Sequence, residues 1–201
     1  MIYDYIVQNY KNGEPIFFSE LPGDSKDYLR QEMKRLCDDG RLERLYNGVY
    51  YLPYRTILGT RGKVLMDLYI QKKYLNTGGY VTGLQLVNKY GFTTQNPSCY
   101  EVCSNEATTK QRKRMVDGNR IIVYKPVTEI NEKNKSALQF LDLMSVIDKY
   151  SEVTGRELAA KLKKYVDAVK VDYSVVKEIL PLYPDKVYRN IYEGGLMGEL
   201  V

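Results

Sequence analysis

The sequence contains no histidine and no tryptophan. The absence of histidine excludes catalytic triads with an imidazole base, HExxH metalloproteases and every metal site with a histidine ligand. No apolar run approaches the roughly 18 residues that a membrane-spanning helix needs. We therefore expect neither a histidine-dependent enzyme nor a protein that enters a membrane.

Cysteine is also scarce. Cys37, Cys99 and Cys103 are odd in number and lack CxxC spacing, which is typical of a reducing compartment and argues against structural zinc. The N-terminal residues MIYDYIVQNYKNGEP have no basic segment before an apolar core, so no signal peptide is predicted. We expect a cytoplasmic protein with no cofactor and no metal.

The composition is that of an ordinary globular protein, with 201 residues, 44% hydrophobic and 27% charged. This length suits one large domain or two small ones. The formal net charge of +5 is unevenly distributed. Residues 1–55 have a net charge of −1, residues 56–118 of +5 and residues 119–201 of +1. The first segment is therefore not basic overall.

The first segment nevertheless has the order of elements of a DNA-binding domain. Apolar residues recur at helical spacing over residues 2–11, which predicts a first helix. A one-turn helix is predicted around residues 19–21. A longer helix is predicted over Ser25–Asp39, with an N-cap at Asp24 or Ser25 and with Gly40 as its end.

The Ser25–Asp39 helix is amphipathic. Leu29, Met33 and Leu36 fall on one stripe, which is predicted to face the core. On the outer side, the residues interpreted as DNA contacts are Lys26, Arg30, Gln31, Lys34 and Arg35.

A small hairpin is predicted to follow this helix. In LCDDGRLERLYNGVYYLP, Asn47-Gly48 is the strongest short signal for a type I′ turn between two strands. The candidates for packing on the third helix are Leu42, Leu45, Val49 and Tyr51. The residues then expected near a phosphate backbone are Arg41, Arg44 and Tyr46.

Helix, short helix, turn, basic helix and hairpin is the order of a winged helix-turn-helix, in which one helix reads base edges and flanking cations set the register. Because the segment is not basic overall, DNA affinity must come from asymmetry between its faces. The alternative is a winged helix that serves only as a protein-interaction module.

The middle of the chain predicts further elements of both types. TRGKVLMDLYIQKKYL is predicted to be a helix whose Val64, Leu65, Leu68 and Tyr69 point inward. GGYVTGLQLVNKYG predicts a second helix, in which a capping box formed by Thr82 and Gln85 opens the helix and Gly91 ends it. CYEVCS alternates like a strand, and Cys99 and Cys103 are interpreted as a buried thiol pair that forms no easy disulfide.

A second hairpin is predicted in KQRKRMVDGNRIIVYKP, with its turn at Asp117-Gly118. Four cations stand just before it and form either a second phosphate-contacting patch or a solubilising loop. They are Lys110, Arg112, Lys113 and Arg114.

The last eighty residues are predicted to be mostly helical. Core spacing in NKSALQFLDLMSVIDKY includes Leu138, Leu141 and Ile147. A second capping box is predicted at Thr154 and Glu157. Helix starts are also predicted at Asp172 and Pro184, and Pro181 is predicted to end the helix that Asp172 caps.

The sequence lacks the signatures of several enzyme classes. There is no GS dipeptide, DxD pair or P-loop, which argues against a nucleotidyltransferase or a P-loop NTPase. Glu101 is not followed by the lysine of an ExK nuclease motif. Asp142 and Asp148 are predicted to lie on different faces of one helix, so they are poorly placed to share a metal. We expect no catalytic residue.

Two stretches resemble a known family. GRLERLYNGVYYLP resembles the end of the winged helix in AbiEi-type antitoxins, and GGYVTGLQLVNKYGFTTQNP with YEVCSN is similar to the start of their second domain. The resemblance covers roughly residues 1–150, and the block Thr82–Pro97 is its more diagnostic part. It names no catalytic residue here.

The resemblance implies an antitoxin of a type IV toxin–antitoxin system that acts in abortive phage resistance. The first domain would bind inverted repeats of double-stranded DNA in its own promoter and repress the operon. The second would counter a nucleotidyltransferase-like toxin without requiring a stable complex. An α+β chain is thus expected, with a winged helix-turn-helix at 1–55 and a mixed, largely helical antitoxin domain at 56–201. Another transcriptional regulator without a toxin stays open as an alternative.

Overall fold

The computed structural model of the protein describes the backbone of residues 1–200 and the side chains of residues 1–198. The fold is mixed α+β, with helices throughout and two small sheets among the described residues. The chain forms two compact units. One comprises Met1–Gln71 with Val116–Gly118, and the other comprises Lys72–Met115 and the described chain from Asn119 onward.

The first unit begins with helix α1 and strand β1, continues through a one-turn 3-10 helix at Phe18–Glu20 and helix α2, and then forms strands β2 and β3. Their bounds are α1 Ile2–Asn9, β1 Ile16–Phe17, α2 Lys26–Asp38, β2 Glu43–Tyr46 and β3 Val49–Tyr51. The three strands form an antiparallel sheet in the order β1-β3-β2. The predicted helices and the hairpin are present, while the two-residue strand β1 was not predicted.

The predicted apolar stripe of α2 is confirmed, since Leu29, Met33 and Leu36 are all buried in the core of this unit. The predicted face of the hairpin is wrong. Tyr50 of β3 joins this core, as does Leu52, the residue after the strand.

Of the four predicted hairpin contacts, only Leu42 joins this core, while Leu45 is partly exposed. Side chains alternate along a strand, so Val49 and Tyr51 point to the other face of β3 from Tyr50. A shift of one residue exchanges the two faces of a strand. The pairing is irregular between Arg44 and Tyr46, and apolar letters on both faces gave the sequence no means to fix this register.

The two Gly-containing hairpin turns differ in conformation. A type I′ turn needs positive φ at both central residues. Asp117 and Gly118 have φ values of 48° and 77°, as that turn requires. At Asn47-Gly48 only the glycine has positive φ, at 79°, so the predicted type I′ geometry is wrong there although the hairpin forms.

Helix α3 spans Met66–Ile70 and continues into a turn of π-helix at Gln71–Leu75. The predicted helix is therefore shorter than expected and its buried face differs. Val64 and Tyr69 are buried as predicted, but Leu65 directly precedes the helix and is 40% exposed. Met66 and Ile70 are buried instead. Leu65 lies before the helix begins, so the helical period does not set the direction of its side chain.

The second unit contains four strands and five helices with described bounds. They are β4 Gly79–Val81, α4 Gly83–Lys89, β5 Tyr100–Ser104, β6 Gln111–Val116, β7 Asn119–Tyr124, α5 Lys135–Tyr150, α6 Gly155–Val169, α7 Tyr173–Ile179 and α8 Asp185–Glu193. The sheet order is β4-β5-β7-β6, with β4 antiparallel and β7 parallel to β5. Helix α5 runs through the core and packs against α4, α7 and α8. Its predicted core residues Leu138, Leu141 and Ile147 are buried.

The predicted capping box at the start of α4 does not form. Thr82 occupies the N-cap position, but its hydroxyl donates to Asp142 Oδ2 at 3.1 Å. The side chain of Gln85 accepts a hydrogen bond from the backbone N–H of Glu101 instead. The backbone N–H of Leu84, in the first turn of α4, donates to Glu101 Oε2 at 2.9 Å. A carboxylate from the neighbouring strand thus replaces the local cap.

Asp142 is the centre of a hydrogen-bond network that the sequence did not predict. Its carboxylate accepts hydrogen bonds from the hydroxyls of Tyr80, Thr82 and Tyr183 at 3.1, 3.1 and 2.8 Å. Burial raises the pKa of Asp142, and the three hydroxyl donors oppose that shift. Asp148, one turn and a half further on, is exposed and lies 3.9 Å from Lys186. The two carboxylates lie on different faces, as predicted.

Of the remaining predictions of helix starts, two are confirmed and one is wrong. The side chain of Asp172 accepts from the backbone N–H groups of Ser174 and Val175, so it is an N-cap. Pro184 is the N-cap residue of α8, as predicted. Thr154 occupies an N-cap position but makes no side-chain capping bond, and Glu157 pairs with Lys161 at 3.6 Å. The second capping box is therefore also absent.

All three cysteines are free. Cys103 is buried and Cys99 only partly so, which corrects the predicted buried thiol pair. Burial raises the pKa of Cys103 to about 12, so this thiol is inert near neutral pH.

Among the described residues, no helix combines the length and apolar composition that crossing a bilayer requires.

Candidate nucleic-acid interface

The outer face of α2 carries exposed polar groups, and the helix itself is capped and packed against the core. Ser25 caps the helix by accepting a hydrogen bond from the backbone N–H of Tyr28 at 3.3 Å. The opposite face is anchored in the apolar core of the first unit. All five α2 residues predicted to contact DNA are exposed: Lys26, Arg30, Gln31, Lys34 and Arg35.

Two of these cations already have partners on the same helix. Arg30 lies 2.6 Å from Asp27, and Arg35 lies 3.0 Å from Glu32. The Arg30 guanidinium also sits 5.8 Å from the ring centroid of Phe18. Such exposed pairs contribute little stability, about 0.3–0.5 kcal/mol, so a phosphate or a base can compete for the arginines. Lys34 forms no ion pair within the described part of the chain.

The three hairpin residues predicted near a phosphate backbone are placed differently from one another. Arg41 is exposed and lies 5.1 Å from the ring centroid of Tyr3. Arg44 is exposed and donates to the side-chain carbonyl of Asn47 within the hairpin. Tyr46 is partly buried, and its hydroxyl lies 2.7 Å from that of Tyr69. Arg41 and Arg44 are thus accessible, whereas Tyr46 is held against helix α3.

A contact that the sequence gave no reason to expect links the hairpin to the segment that follows. Glu43 accepts hydrogen bonds from Arg61 and from the hydroxyl of Tyr51. Burial alone would raise the pKa of Glu43, but these two donors outweigh it and hold the pKa below its ordinary value. The segment from Tyr54 to Leu65 returns to the start of the unit, where the N–H of Leu65 donates to the carbonyl of Gly13 at 2.8 Å.

The four cations ahead of the second hairpin belong to the second unit and do not form one patch. Arg112, Lys113 and Arg114 lie inside β6, the edge strand of the sheet, rather than before the hairpin. Because side chains alternate along a strand, Arg112 and Arg114 share one face and Lys113 points to the other. Lys110 precedes the strand and lines a cavity. At most two of the four can face one phosphate backbone from within the strand.

The sequence and the fold were compared with known proteins, and one distant structural match is described below. No protein-family model matches the sequence, and no curated protein matches it. A crystal structure of the RV2827C protein from Mycobacterium tuberculosis matches with a TM-score of 0.49 and 11% identity, over 96% of this chain and 76% of that chain. A match at this level carries no inference about function.

Proposed function

We propose that this chain is a DNA-binding antitoxin that represses its own promoter. In this proposal the first unit is a winged helix-turn-helix that binds inverted repeats in double-stranded DNA. The second unit counters a nucleotidyltransferase-like toxin in a type IV system of abortive phage resistance, without catalysis and without a stable complex. The observation that carries the proposal is an exposed cationic face on α2, the helix that directly precedes a two-stranded hairpin.

The order of elements supports the DNA-binding half of this proposal. Helix α1, the turn at Phe18–Glu20, helix α2 and the β2-β3 hairpin follow one another as in a winged helix-turn-helix. In such domains the helix before the wing enters the major groove, and cations around it contact phosphates. Gln31 and Lys34 on α2 are the side chains best suited to base edges, since neither is held by an ion pair within the described residues.

The antitoxin half has support of a different kind. The stretch that resembles AbiEi-type antitoxins, Thr82–Pro97 followed by YEVCSN, folds as one piece. Strand β5 returns beside β4, and Glu101 caps the helix α4 between them. The resemblance therefore falls on residues that contact one another in the fold.

A protein-interaction module is the second candidate, and it also has an observation in its favour. Residues 1–55 have a net charge of −1, and two cations of α2 are paired with acids on the same helix. A surface of this kind can dock a protein partner without binding DNA. This second candidate predicts that α2 contributes nothing to promoter binding.

The two candidates are separated by changing Lys34→Glu and, as a matched control, Lys11→Glu. Both lysines are exposed in the first unit, and both changes alter the net charge equally. If Lys34 contacts DNA, its replacement weakens promoter binding by roughly 1–3 kcal/mol. Fluorescence anisotropy with a labelled promoter fragment at one fixed salt concentration measures this. The control variant loses less, because only the general electrostatic attraction changes.

A growth assay with the cognate toxin tests the second role in the same variants. Lys34→Glu is expected to release a promoter reporter from repression while still protecting cells. Equal promoter affinity in the wild type and both variants would reject DNA binding through α2 and favour the interaction module. Loss of protection in a variant with an unchanged melting transition would contradict the division of roles between the two units.

A further inference from the structure

The second unit contains a cavity of about 350 Å³ that the DNA-binding proposal does not use. This volume lies within the range of about 300–1,000 Å³ that small-molecule sites occupy. Strands β5 and β7 and helix α5 contribute most of its lining. Both carboxylates described above, Glu101 and Asp142, line it.

The carboxylates have hydrogen-bond donors but no cation. Asp142 is satisfied by three hydroxyls, as described above. Glu101 accepts from the hydroxyl of Tyr124 at Oε1 and from the N–H of Leu84 at Oε2. Neither acid forms an ion pair with a described residue. Each carboxylate oxygen can accept about two hydrogen bonds, so both oxygens of Glu101 can accept another donor.

Three lysines line the same cavity and are equally without a carboxylate partner among the described residues: Lys110, Lys125 and Lys149. The strands hold two of them together, because the backbone N–H of Lys125 donates to the carbonyl of Lys110 at 3.1 Å. Lys149 stands in the last turn of α5, with its ammonium 4.6 Å from the ring centroid of Tyr150. All three lysines are exposed, as a cation at a cavity mouth must be to meet a ligand from solvent.

The cavity therefore holds acids and bases that form no ion pair with one another, although Tyr150 and then Glu101 raise the pKa of Lys149. Such a lining suits a ligand with an anionic group for the ammonium groups and hydrogen-bond donors for the carboxylates. Its other walls include the hydroxyls of Thr82 and Ser145 and the apolar or aromatic side chains of Pro126, Val146 and Tyr150. A flat ring of a ligand can pack against surfaces of this kind.

We propose that this cavity binds a nucleoside phosphate. The phosphates contact Lys110, Lys125 and Lys149, and hydroxyl or amino groups of the nucleoside donate to Glu101. The base packs against Tyr150. The proposal goes beyond DNA binding and does not depend on it, because every residue involved belongs to the second unit.

Isothermal titration calorimetry of the full-length protein without DNA tests the proposal. The probes are the four common ribonucleoside triphosphates, with inorganic triphosphate and ribose 5-phosphate as fragments. At least one nucleoside triphosphate is expected to bind with micromolar affinity, and more tightly than either fragment. Absence of binding by all four at millimolar concentration would overturn the proposal.

Paired lysine variants test the location of the site. Lys125→Gln with Lys149→Gln is expected to weaken binding by at least about tenfold, since two charge-assisted contacts are lost. The matched control is Lys133→Gln with Lys164→Gln, which removes the same charge from exposed positions of the same unit that do not line the cavity. An equal loss in the control pair would mean non-specific attraction and would reject the site.

A third variant separates a nucleoside from a phosphate alone. Tyr150→Leu is expected to weaken binding of the nucleoside triphosphate more than that of inorganic triphosphate, which loses only the ring beside the Lys149 ammonium. Val127 is exposed and lines the cavity. Val127→Asp adds a negative charge there and is expected to weaken binding of both the nucleoside triphosphate and inorganic triphosphate. If inorganic triphosphate binds as tightly as the nucleotides and Tyr150→Leu alters neither, the cavity is a plain phosphate site and the nucleoside assignment is wrong.

Discussion

The N-terminal ends of helices α2 and α4 are capped in different ways. Each leaves backbone N–H groups that need acceptors. At α2 the acceptor is Ser25, three residues from the N–H that it binds. At α4 the threonine at the cap position turns away to a carboxylate sixty residues later, and Glu101 from strand β5 takes its place. The cap of α2 is therefore local in sequence, whereas that of α4 comes from a distant strand.

The same contrast extends to the charged residues around each helix. On α2, Asp27 and Glu32 pair with arginines three residues away. In the second unit, Asp142 and Glu152 bind groups that lie about sixty positions earlier in the chain. The helix face proposed for DNA thus depends on neighbours in sequence, whereas the core of the second unit depends on polar groups that only folding brings together. Mutations in the two regions should therefore differ in cost.

The largest effect is expected from Asp142→Ala, which leaves three hydroxyls without their acceptor. Leaving buried donors unsatisfied should lower the free energy of unfolding of the second unit by about 3 kcal/mol. Asp142→Asn keeps one acceptor oxygen and should cost about 1 kcal/mol. Asp148→Ala, on the exposed side of the same helix, should change stability by less than about 0.5 kcal/mol. Urea unfolding followed by circular dichroism measures all three.

Equal costs for Asp142→Ala and Asp148→Ala would contradict the central role of the network. They would also remove the contrast between the two units, because long-range polar contacts would then stabilise the fold no more than exposed ion pairs do.

An intermediate effect is expected at the helix caps. Ser25→Ala removes a capping hydrogen bond and should cost about 1 kcal/mol. Thr154→Ala, at a cap position whose side chain makes no such bond, should cost less than about 0.5 kcal/mol. Hydrogen exchange of the first-turn amides of α2 and α6 reports each change locally. If Thr154→Ala accelerated exchange in α6 more than Ser25→Ala accelerated it in α2, the roles assigned to these two cap positions would be wrong.

The smallest effect concerns pH and Glu152. The backbone N–H of Thr94 and the hydroxyls of Thr94 and Thr93 donate to this carboxylate and hold its pKa below the ordinary value. A lowered pKa in the folded state stabilises the fold above the unfolded pKa of about 4.3 and stops doing so as pH falls through the folded pKa. Wild type should therefore exceed Glu152→Gln in stability at pH 7, and the difference should shrink below about pH 4.

Unfolding curves of both proteins between pH 3 and pH 7 measure this difference. Asp172, whose pKa is also lowered, is present in both and cancels from the comparison. If the difference in stability between wild type and Glu152→Gln stayed constant over the whole pH range, Glu152 would stabilise the segment around Thr93 and Thr94 by packing and not by its charge.

Much of the candidate DNA interface could be predicted because α2 is regular. A 3.6-residue period with apolar residues at Leu29, Met33 and Leu36 assigns the exposed face without any knowledge of the rest of the fold. The hairpin was harder, since its strands are short and carry large apolar or aromatic side chains on both faces. A two-residue period offers no second signal to correct an error of one position. Tyr46 was accordingly assigned to solvent although it packs against Tyr69.

The cavity of the second unit could not be predicted at all. Its lining comes from residues between Thr82 and Tyr150, and no short motif joins them. The sequence motifs around Glu101 and Asp142 bear only on a nuclease or a shared metal site. Their actual partners are hydroxyls and a backbone N–H, which are too common in any sequence to mark a site.

The sequence by itself determined the features that depend on groups a few residues apart. These are the mixed α+β class, the buried stripes of α2 and α5, the cap at Asp172, a cap of α2 at Asp24 or Ser25, and the turn at Asp117-Gly118. Only the tertiary structure decided which polar groups pair when local and distant partners compete. Thr82 could have bound its own helix, yet it binds Asp142, because a buried carboxylate without donors costs more than an N–H that Glu101 can satisfy.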